Sequence, residues 1–439
     1  MAYCIIESTN PEFSFILGKN PSSGPIVKEL RAGHLFGWYP NGQTDKYCMF
    51  FKDSEDEISY KDYRDQEFEY LNTSRYNSPD VPGRMIIEFF NSFLNKGSEK
   101  DVEGFENTFT IGAFRYSGAG YFQLLPRYFP DVEIQTEDIS VKCQKVTIKT
   151  KKSLMYLMNL VSVISLLTSV KDDTEYVEVG TDRLKKLVNQ ISSLRPPYFM
   201  AYVFKSNLLN KKADFEAFAK QLQDSCFEEE VILAKGSNYN QRQDFVDQRL
   251  NQDMDVLDFG CGSGTYIGKF AKRFETYYAL DHNEEEIEKA KGLVKKKQLD
   301  EVVVFVEDLN GIAEDAKLQV ILSEVIEHNK EPVAKKIVKD LLEDERVQRI
   351  IITTPNKSFN KYYLLGDDET RHHDHVNEMT LSELSTFVQK CVGKSETLFP
   401  EGSLFAGAGS KWGFNITGIG DKVNGEYTTF GLLFSRVQK

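Results

Sequence analysis

Residues 255–270 read DVLDFGCGSGTYIGKF, and this stretch decides the fold. Its first five residues suit a short buried strand, and TYIGKFAKRF after the loop has the make-up of a helix. Glycines at 260, 262 and 264 let the turn after the strand pack tightly against a ligand. The spacing departs from the dinucleotide fingerprint GxGxxG, because the third glycine arrives one residue early. Asp258 stands before the loop, and a second acid, Asp281, ends the next strand in YYALDH.

Working outward, strands and helices alternate from about residue 232. TYYALDH is read as a strand, EEEIEKAKGLVKKK as a helix, and VVVFVEDL and LQVILS as strands. PVAKKIVKDLLE is a helix leading to the strand RIIITTP. That rhythm predicts a parallel, doubly wound sheet. KWGFNITGIG and TTFGLLFSRV read as two closing strands, expected as an antiparallel hairpin on the sheet edge.

Loop, acid and strand order together resemble the D-x-G-x-G-x-G signature of class I S-adenosylmethionine-dependent methyltransferases. The resemblance implies an α/β, Rossmann-like domain over residues 232–439. Within the signature that carries Asp258, it implies that Gly260, Gly262 and Gly264 approach the methionine part of the cofactor. Asp281 would take the ribose hydroxyls, and Asp308, in VEDLN, would meet the adenine amino group.

The front of the chain follows another pattern. Residues 1–150 read as strands broken by turns, with GHLFGWYP and KYCMFFK joined by a turn-rich NGQTD and one clear helix in PGRMIIEFFNSFL. KVTIKTK alternates like a strand. Residues 151–231 look helical, through DRLKKLVNQISSL, a break at Pro196 and Pro197, and DFEAFAKQLQDSCF. An α+β amino-terminal region, completed by a helical segment, is therefore expected ahead of the nucleotide-binding sheet.

Composition narrows the class. A chain of 439 residues with 41% hydrophobic and 28% charged residues is expected to hold two or three globular domains. Its net charge of −13 argues against a surface coated for nucleic acid, so RNA would need a local basic groove or a partner's help. The six cysteines, Cys4, Cys48, Cys143, Cys226, Cys261 and Cys391, contain no CxxC pair and suit a reducing cytoplasm. The start, MAYCIIESTNPEF, lacks the basic and apolar pattern of a signal peptide. SLMYLMNLVSVISLLTSV, residues 153–170, is uncharged and nearly long enough to span a bilayer. Asn159, Ser162, Ser165 and Ser169 recur at helical spacing within it, which favours a buried packing helix and no membrane association.

A second chemistry is suggested by VILSEVIEHNKE, residues 320–331. If a helix began at Ser323, a good N-cap, then Glu324, Glu327 and His328 would share one face at the carboxyl end of a central strand. Geometry of that kind permits a metal site without requiring one. RHHDHVNEMT, residues 371–380, supplies three of the chain's six histidines and could close over the site. It would add His375 as a fourth ligand, with Asp374 orienting a histidine from behind. Alternatively, His375 and Glu378 simply cap the next helix. Two carboxylates with two imidazoles suit a divalent ion, and the imidazoles favour Mn²⁺ over Mg²⁺.

SEVIEH, TTPN and RHHDHVNE in that order are similar to the HEN-type small-RNA 3′-terminal 2′-O-methyltransferases. That resemblance implies that Glu324, Glu327, His328 and His375 hold a divalent ion gripping the 2′- and 3′-hydroxyls of the last ribose. Two aromatics usual in the family's D-H-x-F-E-W pattern are here Asn377 and Met379. EFSFILGKNP, GHLFGWYPNGQTDKYCMFFKD, YLNTSRYNSPDVPGRMIIEFF and the run from SLMYLMNL to PPYFMAYVFKSNLL resemble the amino-terminal region of the bacterial members. There the region partners a polynucleotide kinase–phosphatase–ligase in RNA repair. Two other readings stay open at this point: a metal-independent methyltransferase of small phenols, and a repair scaffold with an inactive methyltransferase half.

Overall fold

In the computed structural model the described residues are 2–30, 33–53, 77–115, 125–140, 143–171, 180–363, 369–392, 405–406 and 411–437. The YLNTSRY segment of the front-half resemblance lies outside them. Residues divide into two compact units, Met1–Phe227 and Glu228–Lys439.

In the first unit, β1 (Ala2–Ser8) is followed by the short helix α1 (Phe13–Leu17), β2 (Ile26–Leu30), β3 (Gly33–Trp38) and β4 (Lys46–Asp53). Next come α2 (Asp80–Lys96), β5 (Asn107–Arg115), β6 (Val132–Ser140) and β7 (Cys143–Thr150). Four helices follow: α3 (Leu154–Lys171), α4 (Thr181–Ser193), α5 (Tyr198–Leu208) and α6 (Lys212–Asp224). The strands form one antiparallel sheet in the order β2-β3-β4-β1-β5-β7-β6. Its last strand, β6, is almost wholly exposed and rich in acids, a charged edge that discourages further pairing.

Helix α3 is the uncharged segment singled out above. It is buried along most of its length, and its stripe of small polar residues faces protein, with Asn159, Ser162, Ser165 and Ser169 all under 8% exposed. Small side chains there let α2 come close: a Cβ at Gly83 would sit 3.6 Å from Ser165 Cβ. Ser169 Oγ donates to the Ser165 carbonyl, which spares one hydroxyl the cost of burial without a partner. Among the described residues no helix is long and apolar enough to cross a membrane.

The second unit opens with β8 (Val231–Ile232) and α7 (Asn238–Asp247), then β9 (Asp255–Phe259), α8 (Thr265–Phe270), β10 (Tyr277–Leu280) and α9 (Glu284–Lys297). It continues through β11 (Val303–Phe305), β12 (Leu318–Ser323), α10 (Glu331–Glu343), β13 (Val347–Pro355) and α11 (Leu381–Val392). β14 (Phe405–Ala406), β15 (Trp412–Val423) and β16 (Glu426–Arg436) close it. The sheet order is β11-β10-β9-β12-β13-β16-β15-β14, with β8 also pairing β15. The first five strands in that order are parallel, and the hairpin β15–β16 joins antiparallel through β16. The hairpin is thus as expected, but the outer position belongs to β14.

Burial explains the order. LQVILS is buried at five of its six positions, as a central strand covered on both faces must be. Helix α9 begins EEE after an Asn283 N-cap and ends KKK, so its charges complement the helix dipole at both ends. Parallel pairing sets the carboxyl ends of β9, β10, β11 and β12 along one sheet edge. There open α/β sheets hold their ligands.

Candidate active site

The glycine loop leaves β9 at that edge. Gly260, Gly262 and Gly264 have φ of +81°, +50° and +88°, a region that residues with a Cβ enter only at a cost. Their surroundings differ. A Cβ at Gly260 would lie 2.6 Å from Val325 Cγ2, and one at Gly264 would press on Leu293 and Ala290 of α9. A Cβ at Gly262 would meet nothing within 4 Å, so the loop's middle is the part open to a ligand.

Asp281, at the end of β10, accepts hydrogen bonds from the Gly262 N–H at 2.8 Å and from the Asn283 N–H at 2.9 Å. The acid therefore sets the loop's shape. Asp258 is buried and accepts from the Tyr277 hydroxyl at 3.0 Å. Burial, reinforced by Asp281 and opposed by Tyr277, lifts its carboxyl to about 7. Asp308 is exposed beyond β11, and its carboxylate, bonded by Asn310, is held below the usual range.

The chain beyond β12 differs from the expected helix. Glu324 has φ of +56°, and residues Ile326–His328 make a single 3-10 turn. The Glu324 N–H still bonds the Thr353 carbonyl of β13 at 2.9 Å, which extends strand pairing past Ser323. An α-helix starts only at Glu331, next to Pro332. The i, i+3, i+4 face is thus not what gathers these residues.

Tertiary contacts gather them instead. Glu327, His328 and His375 offer ligand atoms that all lie within 4.8 Å of one another. Val376 and Asn377 donate their backbone N–H groups to the Glu327 carbonyl, at 2.8 and 3.0 Å, and so dock the histidine loop on the turn. The His328 and His375 rings meet edge-on at 4.7 Å. Glu324 stands outside this cluster. Its carboxylate accepts from Thr353 Oγ1 at 3.0 Å and pairs with Arg242 at 3.3 Å.

These residues fit a divalent cation on three counts. Glu327 is fully buried, one carboxylate oxygen bonded by Thr354 Oγ1 at 3.1 Å while Oε1 has no hydrogen-bond partner. Burial, then the nearby Glu324 carboxylate, push Glu327 well above the normal range, a penalty that a cation would relieve. Each histidine also has a carboxylate at Nδ1, Asp374 at 3.2 Å from His328 and Glu378 at 2.5 Å from His375. That arrangement commits Nδ1 and leaves Nε2 for a ligand bond. Burial, with His375 adding to it, lowers His328 despite Asp374 and Glu324, which favours the neutral imidazole a metal needs.

Glu378 does not cap α11. Thr380 and Glu383 do so in a reciprocal capping box. Glu378 is buried and bonded by Asn360 Nδ2 and the Arg371 N–H as well as by His375. Burial alone would raise its carboxyl, but those three donors hold it below the usual value. It is a fixed anion behind His375. With an ion such as Mn²⁺ in the Glu327–His328–His375 cluster, replacing Glu378 with Gln is expected to weaken its binding by about 10–100-fold. Activity should return at high Mn²⁺, and a titration showing wild-type affinity would remove this role.

Met379, at one of the positions where the family pattern has an aromatic, is a core residue packed beneath the loop. Asn377 lies half-buried, bonded to the turn through its backbone. Several other groups at the site carried no pattern of their own. Tyr266 Oη meets Ser323 Oγ at 2.8 Å, Ser323 meets Thr353 at 2.7 Å, and Thr353 continues to Glu324. Each of these stood in a segment already singled out, but no spacing links Tyr266, Ser323 and Thr353 to one another.

A family model described as the Hen1 N-terminal domain matches residues 3–226, more than half of the chain. The chain belongs to the Hen1 family. A model described as a methyltransferase domain matches residues 256–343, which include the glycine loop and the Glu324–His328 turn. A Hen1 chain of this kind is similar to a solved structure from the Pnkp1/Rnl/Hen1 RNA repair complex, at 25% identity and a TM-score of 0.77. The match covers 99% of this chain and 100% of that one. A Caenorhabditis elegans small RNA 2′-O-methyltransferase is 34% identical over 71 residues. That alignment spans only 16% of either protein.

Proposed function

We propose that this Hen1-family protein is a metal-dependent, S-adenosylmethionine-dependent methyltransferase that 2′-O-methylates the 3′-terminal ribose of RNA during repair. One observation carries the reading: the open glycine loop and the Glu327–His328–His375 cluster share one sheet edge and touch through Gly260 and Val325. When bound, S-adenosylmethionine would supply an electrophilic methyl group, and a divalent ion, Mn²⁺ in preference to Mg²⁺, would supply Lewis acidity towards vicinal hydroxyls.

The chain's own residues do the placing. Gly260, Gly262, Gly264, Asp281 and Asp308 would hold the cofactor, with Asp258 supporting the loop from beneath. Glu327, His328 and His375 would hold the metal, and Glu324 would join them by giving up its pairing with Arg242. Asp374 and Glu378 keep the two imidazoles oriented, so the acceptor hydroxyls meet a preorganised site. A site that recognises both vicinal hydroxyls selects RNA over DNA, which lacks the 2′-hydroxyl.

Residues 1–150, completed by the helical segment 151–231, form the partner-binding module in this reading, docking a kinase–phosphatase–ligase in the cytoplasm. Support comes from the repair complex in which the similar structure was solved. The decisive assay offers labelled S-adenosylmethionine and a short RNA ending in 2′,3′-hydroxyls, with and without Mn²⁺. Label should enter only with Mn²⁺ and should be lost when the terminal ribose is 2′-deoxy. Equal labelling in EDTA would overturn the metal role.

A further inference from the structure

The turn that ends at His375 carries a second group of metal-binding side chains, to which the methyl-transfer reading assigns no ion. His372, His373 and Asp374 offer ligand atoms that all lie within 4.8 Å of one another. The backbone explains why they meet. The His375 N–H bonds the His372 carbonyl at 3.1 Å, and Thr370 Oγ1 donates to the same carbonyl at 2.8 Å. A chain closed from i to i+3 reverses within four residues, so neighbours that a strand would point to opposite faces come together.

This outer group is unlike the inner cluster of Glu327, His328 and His375, because it stands in water. The His372 and Asp374 side chains are 57% and 48% exposed, and the rings of His372 and His373 lie 4.4 Å apart. Among the described residues His373 has no hydrogen-bond or ion-pair partner. Two imidazoles and one carboxylate, with the remaining directions open to water, make the donor set of a three-ligand zinc site. Mg²⁺ and Ca²⁺ favour oxygen donors and are poorly served by it.

Asp374 joins the two groups. Its Oδ1 meets His372 Nδ1, and its Oδ2 lies 3.2 Å from His328 Nδ1. An ion drawing on this carboxylate would weaken its hold on the His328 imidazole and add positive charge beside the inner cluster.

We propose that His372, His373 and Asp374 bind a second divalent ion, Zn²⁺ by its donor set, and that this ion opposes the one held by Glu327, His328 and His375. Filling the outer site raises the Mn²⁺ concentration that methyl transfer requires. The antagonism rests on the proposed metal role of the inner cluster, whereas binding at the outer site does not.

The test uses the full chain, with Zn²⁺ as the probe. In Glu327→Ala, which disables the inner cluster, calorimetry should record one Zn²⁺ per chain, and adding His373→Ala should abolish that binding. His373→Ala by itself should leave Mn²⁺-dependent methyl transfer unchanged, since His373 is bonded to none of the inner ligands. Zn²⁺ at the concentration that fills the outer site should raise the Mn²⁺ needed for half-maximal transfer by about tenfold in the wild type, and by far less in His373→Ala. Zn²⁺ competing only at the inner cluster would shift both chains equally and would overturn the proposal. So would absence of binding at millimolar Zn²⁺, or binding that survives His373→Ala. A chain that transferred no methyl group would sink the methyltransferase reading, and the calorimetry would still decide the outer site.

Discussion

Glu327→Ala is expected to lower Mn²⁺-dependent methyl transfer by about a thousandfold or more, a loss of about 4 kcal/mol of transition-state stabilisation. The size follows from where the residue sits. Glu327 provides a buried carboxylate oxygen with no hydrogen-bond partner, and its backbone carbonyl anchors the loop that brings His375. A side-chain change removes the first contribution and leaves the second. The loop should therefore persist, and binding of S-adenosylhomocysteine should be near normal by calorimetry.

Glu327→Gln sharpens the test. It removes a charge buried beside Glu324, so in EDTA the variant should be more stable than wild type by about 1–3 kcal/mol. Added Mn²⁺ should raise the melting temperature of the wild type and barely move the variant. A Gln variant that is active, or that melts like wild type under both conditions, would show that Glu327 is an ordinary buried acid.

Gly260→Ala should damage both halves of the site at once. At φ of +81° a Cβ costs about 1–2 kcal/mol, and its approach to Val325 at 2.6 Å forces a shift worth about 1–3 kcal/mol more. Val325 separates Glu324 from the turn that carries Glu327 and His328, so its displacement carries into the metal cluster. Cofactor affinity, the thermal response to Mn²⁺ and overall stability should all fall together. Gly262→Ala provides the contrast, since its Cβ would enter open space. It should impair cofactor binding while sparing the Mn²⁺ response. If Gly260→Ala kept normal affinity and stability, the coupling between the two half-sites would be disproved.

Much of the second unit could be read from its sequence because the information is local. Glycine spacing, an acid at the next strand end and an apolar run such as LQVILS each fix their own surroundings. The turn after Ser323 resisted reading for the opposite reason. Glu324 adopts a left-handed conformation without being Gly or Asn, and strand pairing with Thr353 imposes it from another segment. Grouping Glu324, Glu327 and His328 by helical periodicity named two residues that do meet, together with His375, through a cause that does not operate, and one, Glu324, that stands outside their cluster. Arg242 could not be found at all, since its partner Glu324 is distant in sequence and NYNQRQDF has no pattern of its own. Glu378 was visible only as a possible cap, a role that Thr380 and Glu383 fill.

The docking of the histidine loop on the Glu327 carbonyl has a consequence for which residues may vary there. Val376 and Asn377 grip the turn with main-chain N–H groups, which every residue except proline possesses. Side-chain identity at 376 is thus uncoupled from the placement of His375, and Asn377 adds only one long side-chain bond to the turn, Nδ2 to the Ile326 carbonyl at 3.4 Å. A chain can exchange an aromatic for Asn377 at the loss of that one bond, while the two main-chain bonds still hold the imidazole in place.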